Sequence, residues 1–241
     1  MNLGIFFELT PDGDTTWWEM LASGLGWTLT GAFFAWIMAF LLGSLVGVIR
    51  TTERTALVRL GNAYVELFRN IPLIVQFFIW YFVLPNIIPA VKVWVTTLDP
   101  TRHQLVTAIV CLGLFTSARV AEQVRSGIQS LPRGQRMAGY ALGLSQTQTY
   151  RHVLLPMAYR IIIPPLTSEV MNLIKNTAVA YSIGLVELFF RTREMGEMTF
   201  RYFEAFAAAT LVYVIIALTA NRVMAWIERR VAVPGYIAGG R

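Results

Sequence analysis

The stretch MLASGLGWTLTGAFFAWIMAFLLGSLVGVI, residues 20–49, contains no charged residue. A helix needs about 20 consecutive, mainly apolar residues to cross the hydrocarbon core of a bilayer. This run is long enough to cross with a tilt, so it predicts a membrane-spanning helix. Residues 1–19 contain no basic segment and carry Glu8, Asp12, Asp14 and Glu19, which is not the pattern of a cleaved signal peptide. We therefore expect the first span to direct its own insertion.

The composition of the whole chain agrees with a membrane protein. Of its 241 residues 56% are hydrophobic and only 14% are charged, with a mean hydropathy of +0.55, whereas soluble domains are about a quarter charged. The net charge of +6 would suggest nucleic-acid binding in a soluble protein. In a membrane protein, what matters is on which side of the membrane the basic residues of the loops lie. We expect no nucleic-acid partner. The single cysteine, Cys111, rules out an internal disulfide.

Four further segments complete the predicted topology of an all-α integral membrane protein with about five spans. The predicted spans are residues 20–49, 70–91, 103–128, 153–175 and 205–228. We divide the chain into an N-terminal periplasmic segment (1–19), a transmembrane domain (20–228) and a cytoplasmic C-terminal tail (229–241). A sixth span at residues 176–190 is the alternative, but its charge-free part is short for a bilayer.

The positions of the basic residues predict the orientation. With the N-terminus outside and the C-terminus inside, the cytoplasmic segments carry most of the loop Lys and Arg residues, as the positive-inside rule requires. These residues are Arg50, Arg54, Arg59, Arg125, Arg133, Arg136, Arg151, Arg222, Arg229, Arg230 and Arg241, against Lys92, Arg102, Arg191, Arg193 and Arg201 outside. A sixth span would place Arg229 and Arg230 outside, so the charges favour five spans.

The cytoplasmic stretch RMAGYALGLSQTQTYRHVLLP, residues 136–156, is more than a connection between two spans. It has small and apolar positions that would let another protein approach closely, and we expect a short helix over residues 136–150, delimited by Pro132 and Pro156. A helix lying on the bilayer surface is the alternative. The absence of Trp and Phe in this stretch, and a polar face of Gln and Thr rather than Lys, favour docking to a partner.

This stretch resembles the cytoplasmic signature of permease subunits of ABC importers: a small-residue triplet, a glycine four residues later and a terminal Leu-Pro. The residues at these positions are Met137, Ala138, Gly139, Gly143, Leu144, Leu155 and Pro156. The segments YVELFRNIPLIVQ (64–76), VAEQVRSGIQSLPRGQ (120–135) and NLIKNTAVA (172–180) also resemble the polar amino acid branch, closest to glutamate/aspartate importer permeases. Met137 departs from the family pattern, which usually has Glu there.

The resemblance implies the assembly and its place in the cell. It implies the type I ABC importer permease fold, in the bacterial cytoplasmic (inner) membrane. The predicted coupling helix would bind a cytoplasmic ATPase dimer, and a second permease chain, homologous or identical, and a periplasmic amino acid binding protein would complete the importer. This sequence has no G-x-x-x-x-G-K-[ST] phosphate-binding loop. We therefore expect no cofactor on this chain, with ATP used by the partner ATPase.

Charged residues inside the predicted spans are candidate substrate contacts, because burying a charge in a bilayer is costly. Arg119 suits a substrate carboxylate, since a guanidinium binds carboxylates bidentately, and Glu122 or Gln123 would meet the substrate's ammonium. A structural Arg119–Glu122 pair is the alternative. An i, i+3 pair repeats at Glu66 and Arg69 and at Glu122 and Arg125, and such pairs could simply neutralise themselves.

A second group of candidates lies near the outer end of the fourth predicted span. We expect Pro164 and Pro165 to break that helix and expose polar groups to a cavity. The candidates are Asn172, Lys175 and Asn176, with Lys175 for a carboxylate and Glu169 either fixing Lys175 or lying in a subunit contact. Arg69 and Asn70 precede Pro72 in a turn that is predicted to line the pathway or form a gate; a helix kink is the alternative.

Other functional classes fit less well. A membrane enzyme lacks its motifs, since neither H-E-x-x-H nor G-x-S-x-G occurs and only His103 and His152 are present; we expect neither catalytic residues nor a metal site. A stand-alone ion-coupled transporter would not need the coupling motif, and no inverted repeat is visible. Glutamine, histidine or arginine are alternative cargoes. Arg119 argues against arginine, because like charges repel.

Overall fold

The computed structural model describes residues 3–231, which form helices joined by short turns and one isolated β-bridge between Leu9 and Thr16. A 3-10 helix (Leu3–Phe7) precedes the first α-helix. The α-helices are α1 (Trp17–Ile49), α2 (Thr55–Asn70), α3 (Leu73–Phe78), α4 (Leu84–Ile87), α5 (Pro89–Thr96), α6 (Pro100–Gln129), α7 (Arg133–Ala141), α8 (Gln146–Thr149), α9 (Leu155–Asn176), α10 (Leu188–Thr199) and α11 (Tyr202–Val231). The all-helical fold is the one predicted from the sequence.

Three helices, α1, α6 and α11, are each long and apolar enough to cross a membrane, and the number rises to five if each of two bent helix pairs counts as one span. The bent pairs join residues 55–70 to 73–87 and residues 146–183 to 188–199. The segment proposed as a sixth span is not one helix, because a 3-10 helix (Thr177–Ile183) ends at Gly184, with φ of +85°. Of the predicted C-terminal tail, residues 232–241 lie outside the described residues.

The predicted break at Pro164 and Pro165 is wrong, because α9 continues through both residues to Asn176. Proline removes backbone donors from a helix and usually kinks or breaks it, but neighbouring groups in membrane helices often compensate. The second predicted span is also less regular than expected, since a π-helical turn (Ile79–Val83) separates α3 from α4 and Ile88 interrupts the helix before Pro89.

The chain divides into two compact units. Among the described residues, the first unit comprises residues 3–38, 71–113 and 172–218. Its main core packs small residues of α1 and α6 around larger side chains, among them Phe77, Leu112 and Leu173. Glu187 is fully buried in this unit, where it caps α10 by accepting from the backbone N–H groups of Phe189 (2.8 Å) and Phe190 (2.7 Å). A capping carboxylate satisfies donors that a helix N-terminus leaves unpaired.

The second unit comprises residues 39–70, 114–171 and 219–241, of which the last ten lie outside the described residues. Its core depends on close contact between the last turns of α1 and the middle of α6. A Cβ atom on Gly43 would lie 2.6 Å from the Ser117 carbonyl oxygen, and one on Gly47 would lie 2.7 Å from the Val124 Cβ. Two small residues four apart allow such helix contact in membranes. The contact brings the charged ends of α1 and α6 close together.

Candidate functional site

Three arginines surround one carboxylate in the second unit. Arg50 Nη1 donates to Glu122 Oε2 at 2.7 Å, Arg125 Nη1 lies 3.5 Å from Glu122 Oε1, and Arg69 Nη1 lies 3.7 Å from Glu122 Oε2. Arg50 Nε also donates to Asn62 Oδ1 at 2.8 Å. We call Arg50, Arg69, Glu122 and Arg125 the arginine cluster; one carboxylate cannot neutralise three cations, so the cluster keeps excess positive charge.

The elements of the second unit explain how the cluster forms. Arg50 follows the last residue of α1, while Asn62 and Arg69 are seven residues apart on α2, which places them on the same helix face. Glu122 and Arg125 are an i, i+3 pair on α6. Gly61 makes room for the arginine stem, because a Cβ there would meet Arg50 Cγ at 2.7 Å. The Arg50 side chain is only 5% exposed.

The cluster corrects two of the predicted pairs. Arg69 approaches Glu122 rather than Glu66, and Glu66 is exposed. Arg119 forms no ion pair with Glu122; its guanidinium instead lies over the Phe115 ring, 4.9 Å from the centroid. A cation above an aromatic face is stabilised by the ring quadrupole. The structural pair offered as an alternative role for Arg119 is therefore absent among residues 3–231.

Glu169 is a buried carboxylate of the same unit. It is 8% exposed, and its Oε2 atom has no hydrogen-bond partner among the described residues. The charges that act on it are those of Arg119 and Arg69. That Glu169 either fixes Lys175 or lies in a subunit contact stays a prediction. The structure brings together four of the predicted site residues: Arg69, Arg119, Glu122 and Glu169.

The remaining candidates are less connected. Asn70 ends α2 and is exposed, and Gln123 is half-buried on α6. The other three belong to the first unit at the end of α9, where Lys175 is exposed and Asn172 and Asn176 are half-buried. Lys175 takes part in no ion pair within residues 3–231. Their assignment to the pathway stays a prediction.

The predicted coupling helix begins and ends elsewhere than expected. Helix α7 begins at Arg133, directly after Pro132, and ends at Ala141, so the single helix predicted over residues 136–150 is wrong. Gly143 ends it with φ of +78°. Its N–H donates to the Tyr140 carbonyl at 2.9 Å and the Leu144 N–H donates to the Gly139 carbonyl at 3.1 Å. This hydrogen-bond pair is the Schellman C-terminal motif, in which glycine provides the left-handed residue.

A second short helix follows at once. Ser145 caps α8 in a reciprocal arrangement: its hydroxyl accepts from the Gln148 N–H at 3.3 Å, and Gln148 Oε1 accepts from the Ser145 N–H at 2.8 Å. The capping box satisfies two donors and begins a new helix. A π-helical turn (Tyr150–Leu154) then leads into α9. Leu155 and Pro156 therefore form the start of α9, where proline is tolerated in the first turn.

The surface of α7 has the small and apolar character expected of a docking helix. Met137 and Leu142 are 67% and 81% exposed, and Ala138 is exposed beside them. Gly139 faces the opposite way and is buried, because a Cβ there would lie 2.8 Å from Thr149 Cγ2. Of the three residues at the triplet positions, Met137 and Ala138 are therefore exposed, whereas Gly139 packs against α8.

Tyr150 connects this segment to the turn between α1 and α2. Its hydroxyl donates to the Thr51 carbonyl at 2.7 Å, and the Arg136 guanidinium lies 5.7 Å from its ring centroid. Sequence reasoning missed both Tyr150 and the role of Arg50. The partner of Tyr150 is 99 residues away along the chain and that of Arg50 is 72 residues away, so local spacing does not predict these two contacts. Gly61, which makes room for the Arg50 side chain, is a local sign of close packing at this position.

Comparison with known proteins places this geometry in a family. Residues 39–233 match the family model described as "Binding-protein-dependent transport system inner membrane component". The chain is 48% identical over 240 residues to the "Glutamate/aspartate import permease protein GltJ" of Escherichia coli (strain K12), covering 99% of this chain and 98% of that protein. It is 32% identical over 230 residues to the "Probable glutamine ABC transporter permease protein GlnM" of Bacillus subtilis (strain 168), covering 95% and 98%.

A solved structure gives the same result. The chain resembles one described as "Crystal structure of an amino acid ABC transporter with histidines", with a TM-score of 0.72 and 26% identity, covering 88% of this chain and 94% of that one. The family match covers most of the chain, including both the arginine cluster and α7. This protein therefore belongs to the family of binding-protein-dependent transport system inner membrane components, the membrane permeases of ABC importers.

Proposed function

We propose that this chain forms the translocation pathway for the acidic amino acids glutamate and aspartate in an ATP-driven importer. The relative GltJ, nearly half identical over almost the whole chain, carries that function in its name. The observation that carries the proposal is the arginine cluster, in which one carboxylate faces three guanidinium groups. Excess positive charge attracts a substrate with net negative charge.

The cluster also revises which residues would meet the substrate. Glu122 is held by its three arginines, so it is a poor acceptor for the ammonium group assigned to it from the sequence. Glu169 is the better candidate, because it is buried and one of its oxygens has no partner among residues 3–231. Arg119 is exposed and in no ion pair of the described chain, which leaves its guanidinium available for a carboxylate.

The proposal assigns coupling to α7. Its exposed face would dock on a cytoplasmic ATPase dimer, which would hydrolyse the ATP, and a second permease chain and a periplasmic amino acid binding protein would complete the importer. The orientation that follows places the N-terminus outside and the C-terminus inside. The hydrogen-bonded end of α7 at Gly143, the capping box that begins α8 and the Tyr150 contact with Thr51 support this role, because they hold α7 in one position.

Uptake of radiolabelled glutamate tests the proposed cargo. Cells that carry this chain and its partners are compared with cells lacking only this chain, with unlabelled aspartate, glutamine or arginine as competitors. The proposal expects uptake that depends on the chain and is blocked by excess aspartate but not by glutamine or arginine. Competition by glutamine as strong as that by aspartate would contradict the acidic cargo and leave the permease role intact.

Replacing Arg119 with Ala is expected to weaken apparent affinity for glutamate. A lost charged hydrogen bond costs about 1–3 kcal/mol, which corresponds to a roughly five- to 150-fold rise in the half-saturating concentration. Arg119 contacts a ring rather than a carboxylate, so we expect the amount of protein in the membrane to change little. Half-saturation is measured from initial uptake rates across glutamate concentrations.

Arg160→Ala is the matched control, because Arg160 is also exposed and forms no ion pair in the described part of the chain. It should leave half-saturation unchanged. If Arg119→Ala behaves like this control, Arg119 has no part in substrate binding.

A further inference from the structure

A cavity of about 650 Å³ opens in the second unit where α1 and α6 end and α7 begins. Its cationic lining residues are Arg50, Arg133 and Arg136. Neither Asp nor Glu lines it anywhere in residues 3–231. This volume is typical of a site for a small molecule or for the headgroup of a larger one.

The positive charge at this cavity is largely uncompensated. Arg50 is neutralised in part by Glu122, but Arg133 is exposed and, like Arg136, has no ion pair in the described chain. Arg136 is positioned by the Tyr150 ring. The N-terminus of α7 adds to the charge, since no side chain caps it after Pro132. An anion is therefore the ligand that the cavity favours.

Besides the arginines, the lining has polar residues, namely Thr51, Thr52 and Gln129, and an apolar side, which favours an amphipathic anion. Ile128, Leu131 and Leu154 are buried beside the arginines, and Val58 and Met137 complete this side of the cavity. The cavity also lies directly after the ends of two apolar spans, at Ile49 and Gln129. That is the level at which lipid headgroups meet the acyl chains. A soluble anion needs cations and donors only, whereas a phospholipid also needs apolar walls.

We propose that this cavity binds the phosphate headgroup of an anionic phospholipid of the cytoplasmic leaflet. The proposal rests on the orientation proposed above, which puts residues 50–58 and 129–137 on the cytoplasmic side. Basic pockets between helices on that side are suited to anionic headgroups. The phosphate lies between Arg133 and Arg136, and the glycerol and first acyl carbons lie against the apolar side chains. The bound lipid would thereby contact α7 itself.

Lipid retention by the purified complex tests this proposal. The complex is exchanged into nanodiscs of phosphatidylcholine containing a small fraction of phosphatidylglycerol, and retained lipids are counted by native mass spectrometry. We expect the double variant Arg133→Gln/Arg136→Gln to bind phosphatidylglycerol roughly 30-fold more weakly than the unchanged protein, at about 1 kcal/mol for each arginine. The control is Arg59→Gln/Arg151→Gln, two exposed arginines outside the cavity, which removes the same charge and should change retention little.

Three results would overturn the proposal. Equal phosphatidylglycerol retention by the two double variants would show that the cavity holds no lipid. Displacement of the lipid by millimolar inorganic phosphate as readily as by competing phosphatidylglycerol would identify a site for free anions. Unchanged lipid retention with loss of ATPase subunits would make the arginines part of the ATPase contact.

If the double variant assembles poorly, the single variant Arg133→Gln replaces it in the same retention measurement, because the Arg133 side chain is exposed and its loss should not disturb folding. Lipid retention is read independently of transport, so failure here leaves the proposed cargo unaffected.

Discussion

Glu122→Gln is expected to destabilise the purified protein. The substitution keeps the side-chain shape but removes the charge that faces Arg50, Arg69 and Arg125. Removing one partner of a buried pair leaves a buried charge uncompensated, which costs about 3–5 kcal/mol. Glu122 is 37% exposed while Arg50 is 5% exposed, so we expect about 2–3 kcal/mol. Thermal unfolding in detergent, followed by tryptophan fluorescence, measures the loss of stability.

Glu66→Gln is the control for this experiment. Glu66 is a carboxylate on α2 that is exposed and forms no ion pair among residues 3–231, so its loss should change stability by a few tenths of a kcal/mol at most, as is usual for surface sites. Equal melting temperatures for the two variants would mean that the arginine cluster does not stabilise the fold.

Gly143→Val is expected to uncouple ATP hydrolysis from transport. Valine at φ of +78° is strained, because a left-handed conformation costs an L-residue about 1–2 kcal/mol and a β-branched one more. The turn can relieve this strain by breaking the hydrogen bonds of Gly143 and Leu144 that end α7. The exposed face of α7 would then lose its fixed position. We expect the assembled complex to keep hydrolysing ATP while glutamate uptake falls to background.

Gly134→Val provides a matched change in the same segment. Gly134 lies in the first turn of α7 with ordinary helical dihedrals, and a Cβ there meets nothing within 4 Å. This variant should transport nearly as well as the unchanged protein. Normal uptake by Gly143→Val, or equal loss in both variants, would refute a specific role for the Gly143 turn.

The fold was largely predictable because its signals are local. A charge-free run of membrane-spanning length has few alternatives to a helix, and α1 extends the predicted span by only three residues at its start. Pro132 was recognised as a helix boundary, but α7 begins directly after it at Arg133, three residues before the predicted start. The errors arose where two local signals compete. Gly143 and the capping residue Ser145 divide a stretch that was predicted as one helix, and Pro164 and Pro165 signal a break that α9 does not show.

The site was predictable only in part, because its partners are distant in sequence. Residue types predicted Arg119, Glu122 and Glu169, since each is a charge inside a predicted span, and the turn before Pro72 predicted Arg69. Their pairing was not predicted. The choice of Arg50 as the closest partner of Glu122 depends on the packing of Gly43 and Gly47 against α6. The four-residue spacing of the two glycines is typical of a helix contact in a membrane, but it does not say which helix packs there.

The most direct test of the central claim is glutamate accumulation by the full importer reconstituted in proteoliposomes, with ATP and ATPases on the side of α7. We predict accumulation only with hydrolysable ATP and with glutamate-loaded binding protein on the opposite side, and none when the ATPase is disabled by mutation. Accumulation that continues with the disabled ATPase and instead follows an imposed ion gradient would contradict the account, since it would make the protein an ion-coupled transporter.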